Sequence, residues 1–99
     1  MKVTKTKTGS ELFVEIDGDI NTVTAPELNA QVGEDLEGIT SLVLDFKNVA
    51  YVSSAGLRVL LVMYKTMTGQ NGDMVIRHVN KDVLDIFSMT GFDHFLKVE

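Results

Sequence analysis

The chain has 99 residues, 44% of them hydrophobic, nine basic against fourteen acidic side chains, a net charge of −5 and no cysteine. That length suits one domain over residues 1–99 on a single hydrophobic core, and the missing cysteines exclude disulfides and thiolate metal sites. A negative surface repels phosphate backbones and anionic lipid, and the longest apolar run, residues 59–64, is too short for a bilayer, so neither nucleic acid nor membrane insertion is expected.

The start, Met1-Lys-Val-Thr-Lys-Thr-Lys-Thr8, lacks the apolar core of a signal peptide, which makes a cytoplasmic setting the default. Lys2, Lys5 and Lys7 alternate there with Val3 and threonines, a pattern that predicts the solvent face of an edge strand. Gly9-Ser10 would join this strand to a hairpin partner, Glu11-Leu-Phe-Val-Glu-Ile-Asp17, with Leu12, Val14 and Ile16 on one face. Thr24-Ala-Pro-Glu27 predicts a helix start: the Thr24 hydroxyl as cap, Glu27 reaching back in a capping box, Pro26 in the first turn. Leu28, Val32 and Leu36 mark its buried stripe and Gly38 its stop.

Ser41-Leu-Val-Leu-Asp-Phe46 has no alternation at Leu42-Val43-Leu44, which predicts a central strand covered on both faces. The next helix carries Leu57, Leu60, Leu61 and Tyr64 at core spacing, with Val59, Val62, Met63 and Met67 widening its apolar surface. A loop at residues 69–72 and a strand at 73–79 follow. Asn80 caps the last helix, with Val83, Ile86 and Phe87 inward, Gly91 as its stop and Phe92 in contact beyond it. Residues 95–98 form a closing strand. The order β-β-α-β-α-β-α-β implies an α/β sandwich, a mixed sheet with helices mainly on one face.

The chemistry concentrates where strand 41–46 leads through Val52-Ser53-Ser54-Ala55-Gly56-Leu57 into the apolar helix. Hydroxyls at a helix N-terminus meet free backbone N–H groups and the positive dipole end, which favour a phosphate. A serine there also serves as an ordinary N-cap, worth about 1 kcal/mol, and the residues alone leave both roles open.

Ser53-Ser54-Ala55-Gly56-Leu57 resembles the signature of the STAS family of bacterial anti-sigma-factor antagonists, in which Asp-Ser-Ser-Gly-Leu or Asp-Ser-Ala-Gly-Leu opens this helix. The resemblance runs nearly end to end and implies a small cytoplasmic protein that binds a kinase-like anti-sigma factor and is switched by serine phosphorylation. The serine directly before the glycine, phosphorylated in the sporulation-type members, is Ala55 here. Ser54 matches the serine of the Asp-Ser-Ala-Gly members, and Ser53 replaces their aspartate. Ser54 is therefore the first phosphoacceptor candidate and Ser53 the second, with Ala55 and Gly56 completing the loop. The family's stretch between second strand and first helix, which joins the partner interface, corresponds to Gly18-Asp19-Ile20-Asn21-Thr22. It makes Asp19 and Asn21 interface candidates, against the alternative of a turn that supports the helix entry. Arg58 would contact a phosphate or a partner acid, or mark the solvent edge of its helix.

The implied partners are an anti-sigma factor and serine kinase of the histidine-kinase ATPase type, and a serine phosphatase that resets the switch. No cofactor is implied. Met63, Met67, Met74 and Met89 read as core filler, and His78 and His94 as structural. No nucleophile elbow, Walker loop, Gly-x-Gly-x-x-Gly, His-Glu-x-x-His or zinc spacing occurs, so no catalytic or metal residue is assigned. Asp45, at a central strand's end, lacks the acidic cluster a phosphoaspartate receiver needs. The competing functions are a STAS accessory or scaffold subunit of a transporter or sensory complex, and a small-ligand or nucleotide-binding module.

Overall fold

The computed structural model describes residues 1–99. Its strands are β1 (Lys2–Thr8), β2 (Glu11–Asp17), β3 (Ser41–Asn48), β4 (Asp73–Arg77) and β5 (Lys97–Val98). Its helices are α1 (Thr24–Val32), α2 (Ser54–Gly69) and α3 (Lys81–Thr90), with short 3-10 turns at Gly33–Leu36 and Phe92–His94. The strands lie in chain order across one sheet, β1 antiparallel to β2 and the rest parallel. The expected mixed α/β sandwich is present.

Strand alternation decides which side is covered. Leu12, Val14 and Ile16 of β2, Leu42, Leu44 and Phe46 of β3, and Met74 and Ile76 of β4 share one side. They form a single buried cluster with Leu28 and Val32 of α1, Leu57, Leu60, Met63 and Met67 of α2, and Val83 and Phe87 of α3. All three helices thus cover one face. Val43 points the other way and is only 5% exposed, yet it stands outside that cluster. Its register neighbours Phe13 and Val75 flank it, so same-sheet side chains close its second face where a further layer was expected.

Several local expectations are corrected. Val3, Lys5 and Lys7 share a strand parity and turn toward the helical side, where Lys5 pairs with Asp35 at 2.6 Å and bonds the Gln31 carbonyl. The threonines take the open face instead. The buried stripe of α2 runs Leu57, Leu60, Met63, Met67, while Leu61 is half-buried and Val62 exposed. Met89 is 82% exposed and fills no core. β4 stops at Arg77 because His78 takes φ +58°, and the Phe92–His94 turn leaves only Lys97–Val98 for β5. Asn80 caps α3 by accepting from Val83 N at 2.8 Å, and Gly91 ends it at φ +79°, both as expected.

Candidate functional site: two joined loops at the start of α2

Beyond the ends of β2 and β3 the chain keeps pairing. Gly18 N donates to Asn48 O at 3.0 Å, Ile20 N to Tyr51 O at 3.0 Å, and Ser53 N to Ile20 O at 2.8 Å. An isolated parallel bridge joins Ile20 to Val52, and both side chains are buried. The Asp19 carboxylate accepts from Ala50 N at 3.3 Å. The connection into α1 and the connection into α2 therefore run side by side, and Asp19 and Asn21 lie on the same loop pair as Ser53 and Ser54.

Asn21 does the capping expected of Thr24. Its Oδ1 accepts from Val23 N at 2.9 Å and Thr24 N at 3.0 Å, and its carbonyl accepts from Ala25 N at 2.8 Å. The Thr24 hydroxyl instead donates to Asp19 O at 2.6 Å and accepts from Asn21 N at 2.8 Å, which pins the loop to the helix. No Glu27 capping box forms. Pro26 has no N–H for the Thr22 carbonyl, so the regular hydrogen-bond ladder of α1 starts only at Thr24.

The two serines have different surroundings. Ser53, half-buried and extended, is the N-cap of α2: its hydroxyl accepts from Gly56 N at 3.3 Å and its carbonyl from Leu57 N at 2.9 Å. Ser54 is the first helical residue, exposed, with its hydroxyl in no protein hydrogen bond. Around it, the N–H groups of Ser54 and Ala55 precede the helical ladder and stay free. Gly56 is required by contact. A Cβ there would stand 2.8 Å from Ile20 Cγ2, Ile20 O and Val52 Cγ1, so the first turn of α2 rests directly on the bridge. Arg58 is exposed on α2 and in no salt bridge, which fits the solvent edge of the helix.

Two surface residues of the loops were not anticipated. Val23 is 75% and Tyr51 50% exposed, large apolar side chains on either connection. Asn80, the α3 cap, also donates to Val49 O at 3.0 Å, tying the third helix to the same loop. Away from the loops, Asp45 bonds His78 Nδ1 at 3.1 Å, a carboxylate contact not expected of that histidine. Burial alone would raise the Asp45 carboxyl, but the Lys47 N–H at 2.9 Å and His78 hold it below the usual carboxylate value. The largest cleft, about 400 Å³ and lined by Lys5, Lys7, Leu12, Glu34, Asp35 and Glu37, lies at the opposite end of the sheet and does not reach the serines. No group of three metal-ligating side chains forms, and no helix is long and apolar enough to cross a membrane.

The candidate site is thus a hydrogen-bonded loop pair at one end of a one-faced α/β sandwich, apart from the largest cleft. This chain belongs to the STAS family: the STAS domain model matches residues 2–99. It is 32% identical over 93 residues to BtrV of Bordetella bronchiseptica, named as an anti-sigma factor antagonist, spanning 93% of this chain and 80% of that protein. The fold matches the crystal structure of an anti-sigma factor antagonist from Thermotoga maritima with TM-score 0.90 at 17% identity, covering 97% of this chain and 84% of that one. It also matches the phosphorylated form of the Bacillus cell fate determinant SpoIIAA with TM-score 0.76 at 11% identity, over 99% and 91% of the two chains. STAS antagonists are regulatory proteins without enzymatic turnover.

Proposed function

We propose that this chain is an anti-sigma factor antagonist of a partner-switching circuit. In this reading it acts in the cytoplasm, where it docks through the joined loops onto an anti-sigma factor of the histidine-kinase ATPase type and frees the sigma factor. The partner then phosphorylates Ser54 with ATP and releases the antagonist, and a serine phosphatase resets it. The observation that carries this is the division between the serines: Ser53 is committed to the cap, whereas Ser54 presents a free hydroxyl at the exposed start of α2. Asp19 and Asn21 support docking indirectly, because both side chains are spent on holding the loop backbone. Ala55 and Arg58 then form the rest of the contact region, while Gly56, buried against the Ile20–Val52 bridge, serves it by seating the helix start. A phosphate on Ser54 brings about −1.5 to −2 charges, which a closely docked partner cannot accommodate without an unpaired buried charge.

The test is capture of partners from native extract by the tagged chain with ADP or ATP, followed by phosphosite mapping. Retention of a kinase-like ATPase in ADP, its loss in ATP and phosphate on Ser54 are expected. Ser54→Asp should lose the partner while keeping its fold. If that variant binds as tightly as the parent, the switch reading fails.

Ala55, standing where other members carry the phosphoserine, favours a second reading: an accessory or scaffold subunit that docks by the same loops without phosphorylation. Transporter or sensory subunits held equally in ADP and ATP would select it.

A further inference from the structure

All fourteen acidic and nine basic residues lie outside the 25 buried positions, so about one surface residue in three is charged. The two segments joined by the Ile20–Val52 bridge depart from that. Residues 20–26 and 48–57 include eleven positions outside the core, which at that frequency would carry about three charges; they carry none. The next charges along the chain are Asp19, whose carboxylate is turned onto Ala50 N, then Glu27, Lys47 and Arg58. The exposed Thr22, Val23, Ala50, Tyr51 and Ser54 of this loop pair thus carry no charge on a chain of net charge −5. The charges that a neighbouring element brings to its edge are Lys81 and Asp82, which follow the Asn80 bonded to Val49 O.

Neither apolar side chain is explained by folding. Val23 lies in the entry turn of α1, where it loses rotamer freedom and buries little. Tyr51 precedes the inward Val52 and so points outward. Both are held by their backbones, Val23 N on Asn21 Oδ1 and Tyr51 O on Ile20 N, so little order remains to be imposed on binding. Depletion of charge around a rigid aromatic is the composition of an interface core.

We infer that this neutral face is a docking surface anchored by Val23 and Tyr51, and that its partner is a protein offering an uncharged, apolar counter-surface. The inference rests on the antagonist reading above and specifies its partner. Such a complex forms with little electrostatic steering. It also explains why one phosphate suffices as a switch: a counter-surface matched to a neutral patch holds no cation to receive it.

The ATPase retained in ADP, once purified, is titrated calorimetrically with the parent chain and with Val23→Ala, Tyr51→Ala and Met89→Ala, each checked for folding by circular dichroism. Val23→Ala and Tyr51→Ala should each weaken Kd about tenfold or more. Met89→Ala, at a still more exposed apolar residue on α3, should leave it unchanged. Raising salt tenfold should move the parent's Kd by less than about threefold. Unchanged Kd in both loop variants, or a steep loss of affinity with salt, overturns the anchors while leaving the antagonist reading intact. A dimer of this chain in sedimentation that Tyr51→Ala dissolves assigns the face to a second copy and also overturns the proposal. If no kinase-like ATPase is retained in ADP, the antagonist reading falls and the proposal with it.

Discussion

Gly56→Ala is the sharpest test of how α2 sits on the loops. The added Cβ would lie 2.8 Å from three atoms, about 0.6 Å inside ordinary contact. The Ile20 and Val52 methyl groups could rotate away at modest cost. Ile20 O cannot, because it is fixed by the bond from Ser53 N at 2.8 Å. Relief requires α2 to lift, which strains the packing by about 1–3 kcal/mol and weakens a bond worth about 1 kcal/mol. Alanine returns at most about 1 kcal/mol through its better helix propensity. The net loss is about 2 kcal/mol, or a fall in Tm of about 8–16 °C for a domain of this size. Gly69→Ala, at the last residue of the same helix with nothing within 4 Å, should be neutral or stabilising and controls for propensity. Urea denaturation of both variants gives the comparison. A Gly56→Ala chain within about 0.5 kcal/mol of the parent would mean that the helix start does not rest on Ile20, and the joined-loop geometry would be wrong.

Ser53→Ala removes the α2 cap and should cost about 0.5–1 kcal/mol in urea, the low end because the bond is 3.3 Å. Asn80→Ala loses both the cap to Val83 and the tie to Val49 O and should cost about 1–2 kcal/mol by the same measurement. Asp45 has a folded pKa below its ordinary value of 3.8, so its stabilisation is present above that pH and is lost as pH falls through the folded value. Asp45→Asn should therefore be less stable than the parent at pH 7, and the gap should close on acidification below pH 3.8.

Much of this architecture was readable from local pattern. Alternation at Leu12, Val14 and Ile16 and the Asn80 and Gly91 signals name elements that tertiary packing leaves in place. The errors arose where two local solutions were nearly equal. Asn21 and Thr24 are both good caps, and the choice falls to Asn21 because the Asp19 carbonyl takes the Thr24 hydroxyl. The parity of Val3, Lys5 and Lys7 was present in the sequence, but which parity faces the helices is set by the hairpin register through Gly9-Ser10, which puts them opposite the inward Ile16, Val14 and Leu12. The Asp45–His78 contact needs a left-handed backbone at a non-glycine residue, which no residue pattern announces. At the site, the motif drew attention to both serines, while the choice between them depends on a cap geometry that sequence leaves open. Val23 and Tyr51 each look ordinary in their own segments, and only the Ile20–Val52 bridge brings the segments together.

The first turns of the helices carry one further consequence for the switch. Glu27 stands in the first turn of α1 and Asp82 in that of α3, but α2 has no acid there. Its positive dipole end is uncompensated and two N–H groups are free, so negative charge at Ser54 meets attraction from its own fold. Ser54→Asp should raise stability by about 0.3–1 kcal/mol at low salt, less as salt screens the dipole. The same substitution should abolish docking. Opposite signs for folding and binding, from one side chain, are what separates a switch from damage: a phosphate that destabilised the domain would release the partner merely by unfolding it. Thermal denaturation of Ser54→Asp and Ser54→Ala at low and high salt decides the matter. A destabilisation of about 1 kcal/mol or more in both would mean that the Ser54 hydroxyl is engaged in the fold, and it could then not serve as the free acceptor.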